Sequence, residues 1–165
     1  MKRFRVRPLL IGLVFLLGFV VQGRAQSVEA EASAMQVLDT FMTAFNAREI
    51  DDFEATLHFP HYRFAGGKVV VLEEAGARPE FFAGFVSATP GWDHSAWSER
   101  KVIHSGPAKV HIDTRFVRYR ADGSVLSEFD SLYIVTFENG RWGIKARSSF
   151  APYLPPGPVK KDEGA

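Results

Sequence analysis

Chemistry-bearing side chains gather at a few places in this chain. His58-Phe59-Pro60-His61 sets two imidazoles three residues apart, a spacing that on a helix would offer two ligands to one metal ion. Pro60 prevents a regular helical face there and no third histidine completes the set, so a metal site is disfavoured. Trp92-Asp93-His94-Ser95 joins an Asp to a His, side chains able to move protons near neutral pH. Neighbours on a strand point to opposite faces, so a turn cap by Asp93 and a packed Trp92 are favoured over a working pair. No nucleophile elbow, phosphate-binding loop or dinucleotide fingerprint occurs.

These residues are placed by a simple order of elements. From Ser27 to Ala47, Met35, Leu38, Met42 and Phe45, with Phe41 beside them, recur at three- and four-residue steps and predict an amphipathic helix. Ile50-Asp51-Asp52-Phe53-Glu54 offers an Asp cap with Glu three residues later, opening a short helix that buries Phe53 and Leu57 and ends at Pro60. The β-prone runs 61–64 and 68–72 flank Ala65-Gly66-Gly67 and read as a hairpin. Pro79 followed by Phe81, Phe82 and Phe85 predicts a third short helix. Beyond Pro90-Gly91 the pattern turns to period two, and turns at 105–107, Asp122-Gly123 and Asn139-Gly140 cut it into four long strands.

If Asp122-Gly123 and Asn139-Gly140 are two-residue hairpin loops, they fix the pairing on either side. Phe116 then faces Phe129, Thr114 faces Ser131, Ile112 faces Tyr133 and Val110 faces Val135. Across the last hairpin, Phe137 meets Trp142, Val135 meets Ile144, Tyr133 meets Ala146, Ser131 meets Ser148 and Phe129 meets Phe150. One face is thus almost all apolar and must be the one the helices cover. Thr114, Ser131 and Ser148 share one rung of it, with Tyr133 one rung away. Such a row is either a set of small residues bonded locally or the polar floor of a ligand pocket. The opposite face pairs Arg115 with Asp130 and Leu132 with Arg147 and carries Ile134, which makes a sheet-to-sheet homodimer conceivable.

The amino terminus has the order of a secretory signal: Lys2, Arg3, Arg5 and Arg7, an apolar run of 13 residues from Leu9 to Val21, then Gly23-Arg24-Ala25. That run is short of the roughly 20 residues a spanning helix needs, so a cut between Ala25 and Gln26 is expected rather than a stable membrane span. Cleavage removes five of the 20 basic residues and no acidic one, leaving 15 against 19, a net charge of −4. A nucleic-acid partner is thereby disfavoured, because phosphate binding needs a basic stripe. With no cysteine, disulfides and thiolate metal sites are excluded, and a packed core must hold the fold. The chain therefore divides into a leader at 1–25, one domain at 26–150 and a proline-rich tail at 151–165, exported to the periplasm or beyond.

Helix, short helix, hairpin, short helix and a long antiparallel meander resemble the cone-shaped NTF2-like superfamily, in its SnoaL-like branch. The resemblance is carried by Ala44-Phe45-Asn46-Ala47-Arg48-Glu49-Ile50-Asp51 and by Asn139-Gly140-Arg141-Trp142-Gly143-Ile144. It implies an α+β cone with helices packed on a curved, mostly antiparallel sheet of about six strands. It does not name a reaction, since the superfamily hosts isomerases, dehydratases, cyclases and binding modules. Where a steroid-isomerase-like member would place its acid-base machinery, this sequence has Ala65, Phe41 and Tyr133. The expected function is binding of a small, largely apolar organic molecule between the first helix and the sheet, with no cofactor. Thr114, Ser131, Tyr133 and Ser148 would form the floor, and His61, Tyr62, Trp92 and His94 the mouth. The rival readings are a cofactor-free enzyme using His61 or His94 as acid or base, and a non-catalytic dimeric interaction module.

Overall fold

The computed structural model describes residues 11–152. Its elements follow in the order α1 (Ile11–Ala47), α2 (Ile50–Ala55), β1 (Leu57–Ala65), β2 (Lys68–Leu72), α3 (Phe81–Ala88), β3 (His94–Gly106), β4 (Lys109–Tyr119), β5 (Val125–Glu138) and β6 (Arg141–Ser149). The strands make one sheet in the order β2-β1-β6-β5-β4-β3, with β1 and β6 parallel and every other pair antiparallel. This is the expected α+β layout. The α1 helix starts inside the expected leader and runs through Ala25 without a break. Among the described residues no helix is long and apolar enough to cross a membrane. The proline-rich tail lies outside them apart from its first two residues.

The core sits between α1 and the sheet. Ala30, Ala34, Leu38 and Phe41 of α1 press on Val110, Ile112, Tyr133, Val135 and Ile144, all buried. The alanines let the helix axis come close, and each large aliphatic side chain buried there contributes about 1.5–3 kcal/mol. The helix ends in a Schellman arrangement: Glu49 N donates to Ala44 O and Arg48 N to Phe45 O. Arg48 occupies the left-handed position usually given to glycine (φ 62°), and its guanidinium lies over the Trp92 ring at 5.0 Å. One residue earlier, Asn46 clasps the Ser95 backbone from both sides, donating to its carbonyl at 2.8 Å and accepting from its N–H at 2.9 Å. That double bond ties the helix end to β3.

Two local expectations fail in the same stretch. α2 stops at Ala55, not at Pro60, and the residue before it is Glu49, which makes no side-chain cap; Asp51 and Asp52 lie in the first turn. Leu57 is buried on β1 instead of on a helix, and Pro60 sits within that strand, where the pairing with β6 shifts between Leu57 and Tyr62. A proline lacks the N–H a ladder needs, so it belongs at such an irregularity.

The β4–β5 register is as expected from Val110 with Val135 to Phe116 with Phe129. Its turn is one residue longer than expected: Arg120 and Ser124 close a loop of Ala121, Asp122 and Gly123. An extra residue on β5, Leu126, then restores the pairing at Arg118 with Ser127. In the last hairpin Phe137 meets Trp142 and Val135 meets Ile144 as expected, but Ile134 pairs with Ala146, leaving Lys145 as the extra residue of a bulge. Past it every partner moves by one: Tyr133 faces Arg147, Ser131 faces Ser149 and Leu132 faces Ser148. The expected pairs Tyr133 with Ala146, Ser131 with Ser148 and Leu132 with Arg147 are thus replaced.

Gly143 marks a close approach. A methyl group at its Cα would stand 2.8 Å from two ring atoms of His58, which is 4% exposed and bonded through Nδ1 to Thr136 Oγ1 at 3.0 Å. Gly143→Ala is expected to lower unfolding stability by about 1–3 kcal/mol, read as a shift of the denaturant midpoint. An unchanged midpoint would show that the ring yields freely.

A cationic cavity as candidate functional site

On β1 the side chains alternate cleanly. Tyr62 and Phe64 point outward, 43% and 50% exposed, while His61 and Arg63 point under the helices. The bulge at Lys145 reverses the end of β6, so Arg147 joins them on the covered face. Arg118 follows Phe116 by two residues on β4 and faces the same way, 8% exposed. The loop before α3 adds Arg78, whose guanidinium lies over the Phe81 ring at 4.8 Å. Glu54, buried on α2, fixes that loop by accepting a hydrogen bond from Gly76 N at 2.6 Å.

These groups surround a cavity of about 60 Å³. Its opposite walls are apolar, built from Phe41, Phe45 and Met42 of α1, Phe53 of α2, Phe81 and Phe85 of α3, and Trp97 of β3. The rings hold one another: Phe53 stacks on Phe81 at 5.3 Å, and Phe41 meets Tyr133 edge-on at 5.7 Å. Among the lining residues there are four arginines and no Asp or Glu.

Burial and mutual repulsion act on Arg63, Arg118 and His61. Burial first, then the Arg147 charge, bring Arg63 down to about 9 and Arg118 down to about 10, so both stay protonated at neutral pH. Arg118 is wrapped by the rings of Phe85, Phe129 and Phe116 at 5.0, 5.1 and 5.7 Å. Arg147 donates through Nη1 to the Tyr133 hydroxyl at 3.0 Å. The Nε–H groups of Arg63, Arg118 and Arg147 are all shielded from water without a hydrogen-bond partner. His61 Nδ1 lies 3.0 Å from Ile144 O and so carries the proton. Desolvation, with Arg147, Arg78 and Arg63 adding to it, pulls the imidazolium down to about 4. Guanidinium groups of this kind pair with carboxylate or phosphate, and here they stand against aromatic walls.

Residues 30–149 match the model of a family described as NTF2-like protein (DUF6841). The chain belongs to that NTF2-like family. Solved structures agree on the fold. An NTF2-like protein of unknown function from Pseudomonas putida superposes with a TM-score of 0.61 at 14% identity, covering 77% of this chain and 89% of that one. A ketosteroid isomerase-like protein from Erwinia carotovora atroseptica gives 0.54 at 20% identity, covering 72% and 93%. A protein of unknown function with a cystatin-like fold from Nostoc punctiforme gives 0.59 at 13%, covering 76% and 93%. No curated protein matches the sequence.

Within this NTF2-like domain the residues singled out from sequence are dispersed. Tyr133 and His61 line the cavity. Thr114 and Ser131 are buried on the expected rung, but Thr114 Oγ1 donates to the Ser131 backbone carbonyl at 2.9 Å and Ser131 Oγ to Ser149 Oγ at 2.8 Å, so the hydroxyls are satisfied within the sheet beside the cavity. Ser149 takes the place expected for Ser148, which the bulge moves to the outer face opposite Leu132 and Phe64. Tyr62 is on that outer face as well. Trp92 is buried behind the lining, its Nε1 donating to Ser95 Oγ at 2.9 Å. His94 is exposed, stacked on Tyr119 at 5.1 Å and bonded to Asp93 at 2.8 Å. The expected outer pair of Arg115 and Asp130 is present at 2.8 Å, and Leu132 and Ile134 are half-buried on the same face, whereas Arg147 has left it. Of the isomerase-like positions, Phe41 and Tyr133 line the cavity and Ala65 is fully buried beside Ser149.

Sequence reasoning passed over Arg78 and Arg118 and set Arg147 on the outer face, where the structure does not have it. Arg118 was within reach, because the inward series Ile112, Thr114, Phe116 continues to it in steps of two. Arg147 carries no such signal, since nothing local marks Lys145 as a bulge.

The His61 shift has a definite sign. Its value is 6.5 unfolded and about 4 folded, so between those limits the unfolded chain binds the extra proton. The stability due to neutral His61 is fully present above 6.5 and is lost as pH falls toward 4, by on the order of 3 kcal/mol. The difference in stability between wild type and His61→Gln, measured by denaturant unfolding, should therefore narrow or reverse against wild type from pH 7.5 to pH 4.5; a pH-independent difference would contradict the buried neutral imidazole.

Proposed function

We propose that this domain is an exported binding protein for a small organic acid, held with its apolar body against the helices and its acidic group among the arginines. One observation carries the reading: four arginines and no carboxylate line a single aromatic cavity. Arg63, Arg118 and Arg147 hold like charges close together and partly desolvated, which is costly, and a ligand carboxylate would supply a counter-charge. The expectation of a small, largely apolar ligand is thus kept for the body of the molecule and changed for its head.

The enzyme alternative would rest on His61, the one histidine in the cavity. Held as a neutral imidazole down to about pH 4, it is a weak base and is not available as an acid at neutral pH, which favours binding over turnover. His94 is too exposed and too far outside the lining to serve. Export is supported by the leader pattern, which would leave Gln26 as the first residue, four positions before Ala30, the first residue of α1 in the core.

Benzoate is expected to raise the melting temperature of the mature domain and benzamide, its neutral analogue, is not. Arg63→Met, which removes a half-buried charge beside Arg147, should melt a few degrees above wild type without ligand and lose most of the benzoate effect. Equal stabilisation by benzamide would refute the acid reading. Amino-terminal sequencing of protein recovered from its own host's envelope should begin at Gln26; an intact Met1 in the cytoplasm would refute export.

A further inference from the structure

The arrangement of the arginines says more about the ligand than their number. Arg63 and Arg147 are direct partners across the parallel β1–β6 ladder, so their backbones stand one strand spacing apart, about 4.8 Å, on the cavity floor. Arg147 is aimed by Tyr133, whose oxygen accepts from Nη1. That acceptance leaves the Tyr133 hydroxyl proton available to a second acceptor beside it. Arg118 comes from β4, two strands away from β6 in the sheet, and three phenylalanine rings lie around its guanidinium. A carboxylate would meet that guanidinium along its edge, with two parallel hydrogen bonds.

There are thus two separate places for negative charge, the Arg63–Arg147 pair with Tyr133 on the floor and the edge of Arg118 at the side. Each holds at least one Nε–H shielded from water and unpaired. One carboxylate has two oxygens and engages one fork fully; it cannot satisfy both places. The same cavity carries the rings of Phe41, Phe53 and Trp97, faces against which a flat ring can pack.

We propose that the cavity recognises an aromatic acid bearing two carboxylates, one on the Arg63–Arg147 pair and one on Arg118. This rests on the acid-binding reading above and narrows its ligand class. An aryl phosphate would bring two charges on one head group and could use only one of the two places.

Isothermal titration of the folded mature domain at pH 7 tests this with benzoate, phthalate, isophthalate, terephthalate, phenyl phosphate and benzamide as probes. The best of the three dicarboxylates should bind at least tenfold more tightly than benzoate. Arg118→Gln should cut that preference to less than threefold, and Arg118→Lys, which keeps the charge without the fork, should give an intermediate ratio; circular dichroism checks that both variants are folded. Equal affinity for benzoate and every dicarboxylate would overturn the two-carboxylate proposal and leave the acid reading standing. Phenyl phosphate outranking all dicarboxylates tenfold would overturn it in favour of a single dianionic head. Binding of benzamide as tight as benzoate, or of no acid at all, would overturn the acid reading and this proposal together.

Discussion

One extra residue in β6 decides the character of the cavity. Strand side chains alternate strictly, so without Lys145 as a bulge the end of β6 would send Ala146 and Ser148 under the helices and Arg147 outward. The floor would then be small and neutral. With the bulge, Arg147 lands between Arg63 and Tyr133, and Ser149 takes over the bond to Ser131. The hydroxyl rung is preserved while the rung next to it becomes cationic. The parallel pairing of β1 with β6 then matters as much, because it is what sets Arg63 beside Arg147.

Placing several guanidinium groups under an aromatic roof runs against the general preference of charged groups for water. The domain offsets this in part with ring faces around Arg118, the Tyr133 hydroxyl for Arg147 and the Phe81 face for Arg78. None of these neutralises a charge. The rest of the structure supplies the rigidity that holds them in place: Asn46 fixing α1 to β3, the aliphatic seam from Leu38 to Ile144, and the buried Glu54 holding the loop that carries Arg78. Core and site therefore merge on the same covered face, sharing Phe41, Phe53, Tyr133 and Ile144, with the charge gathered at one end of it.

The fold was legible because its signals are local and repeated. Glycine turns, period-two strands and the stripe from Met35 to Phe45 each predict an element that is present, and the meander register between Val110 and Phe116 came out right although its turn is a residue longer, because Leu126 compensates. The site was legible only in part. Tyr133 could be placed from the strand register and Arg118 could have been, whereas alternation on β1 left open whether His61 and Arg63 or Tyr62 and Phe64 face inward. Arg147 could not, because a bulge is a one-residue event with no distinctive residue type at Ile144-Lys145. Ser148 was misassigned for the same reason. Tyr62 and His94 were drawn in by residue type, and their outward direction follows from neighbours that are distant in sequence.

The four arginines stand on four different segments, β1, β4, β6 and the loop before α3. No exchange of one loop or one hairpin could install or erase them together. Each would have to be acquired separately, against the grain of folding stability, and each could be lost singly with little harm to the core. In a lineage that had stopped using the cavity, ordinary drift would replace them one by one with neutral residues. Among relatives of this chain, the joint presence of all four would therefore mark members still under selection for the proposed acid site and set them apart from those that keep only the shell.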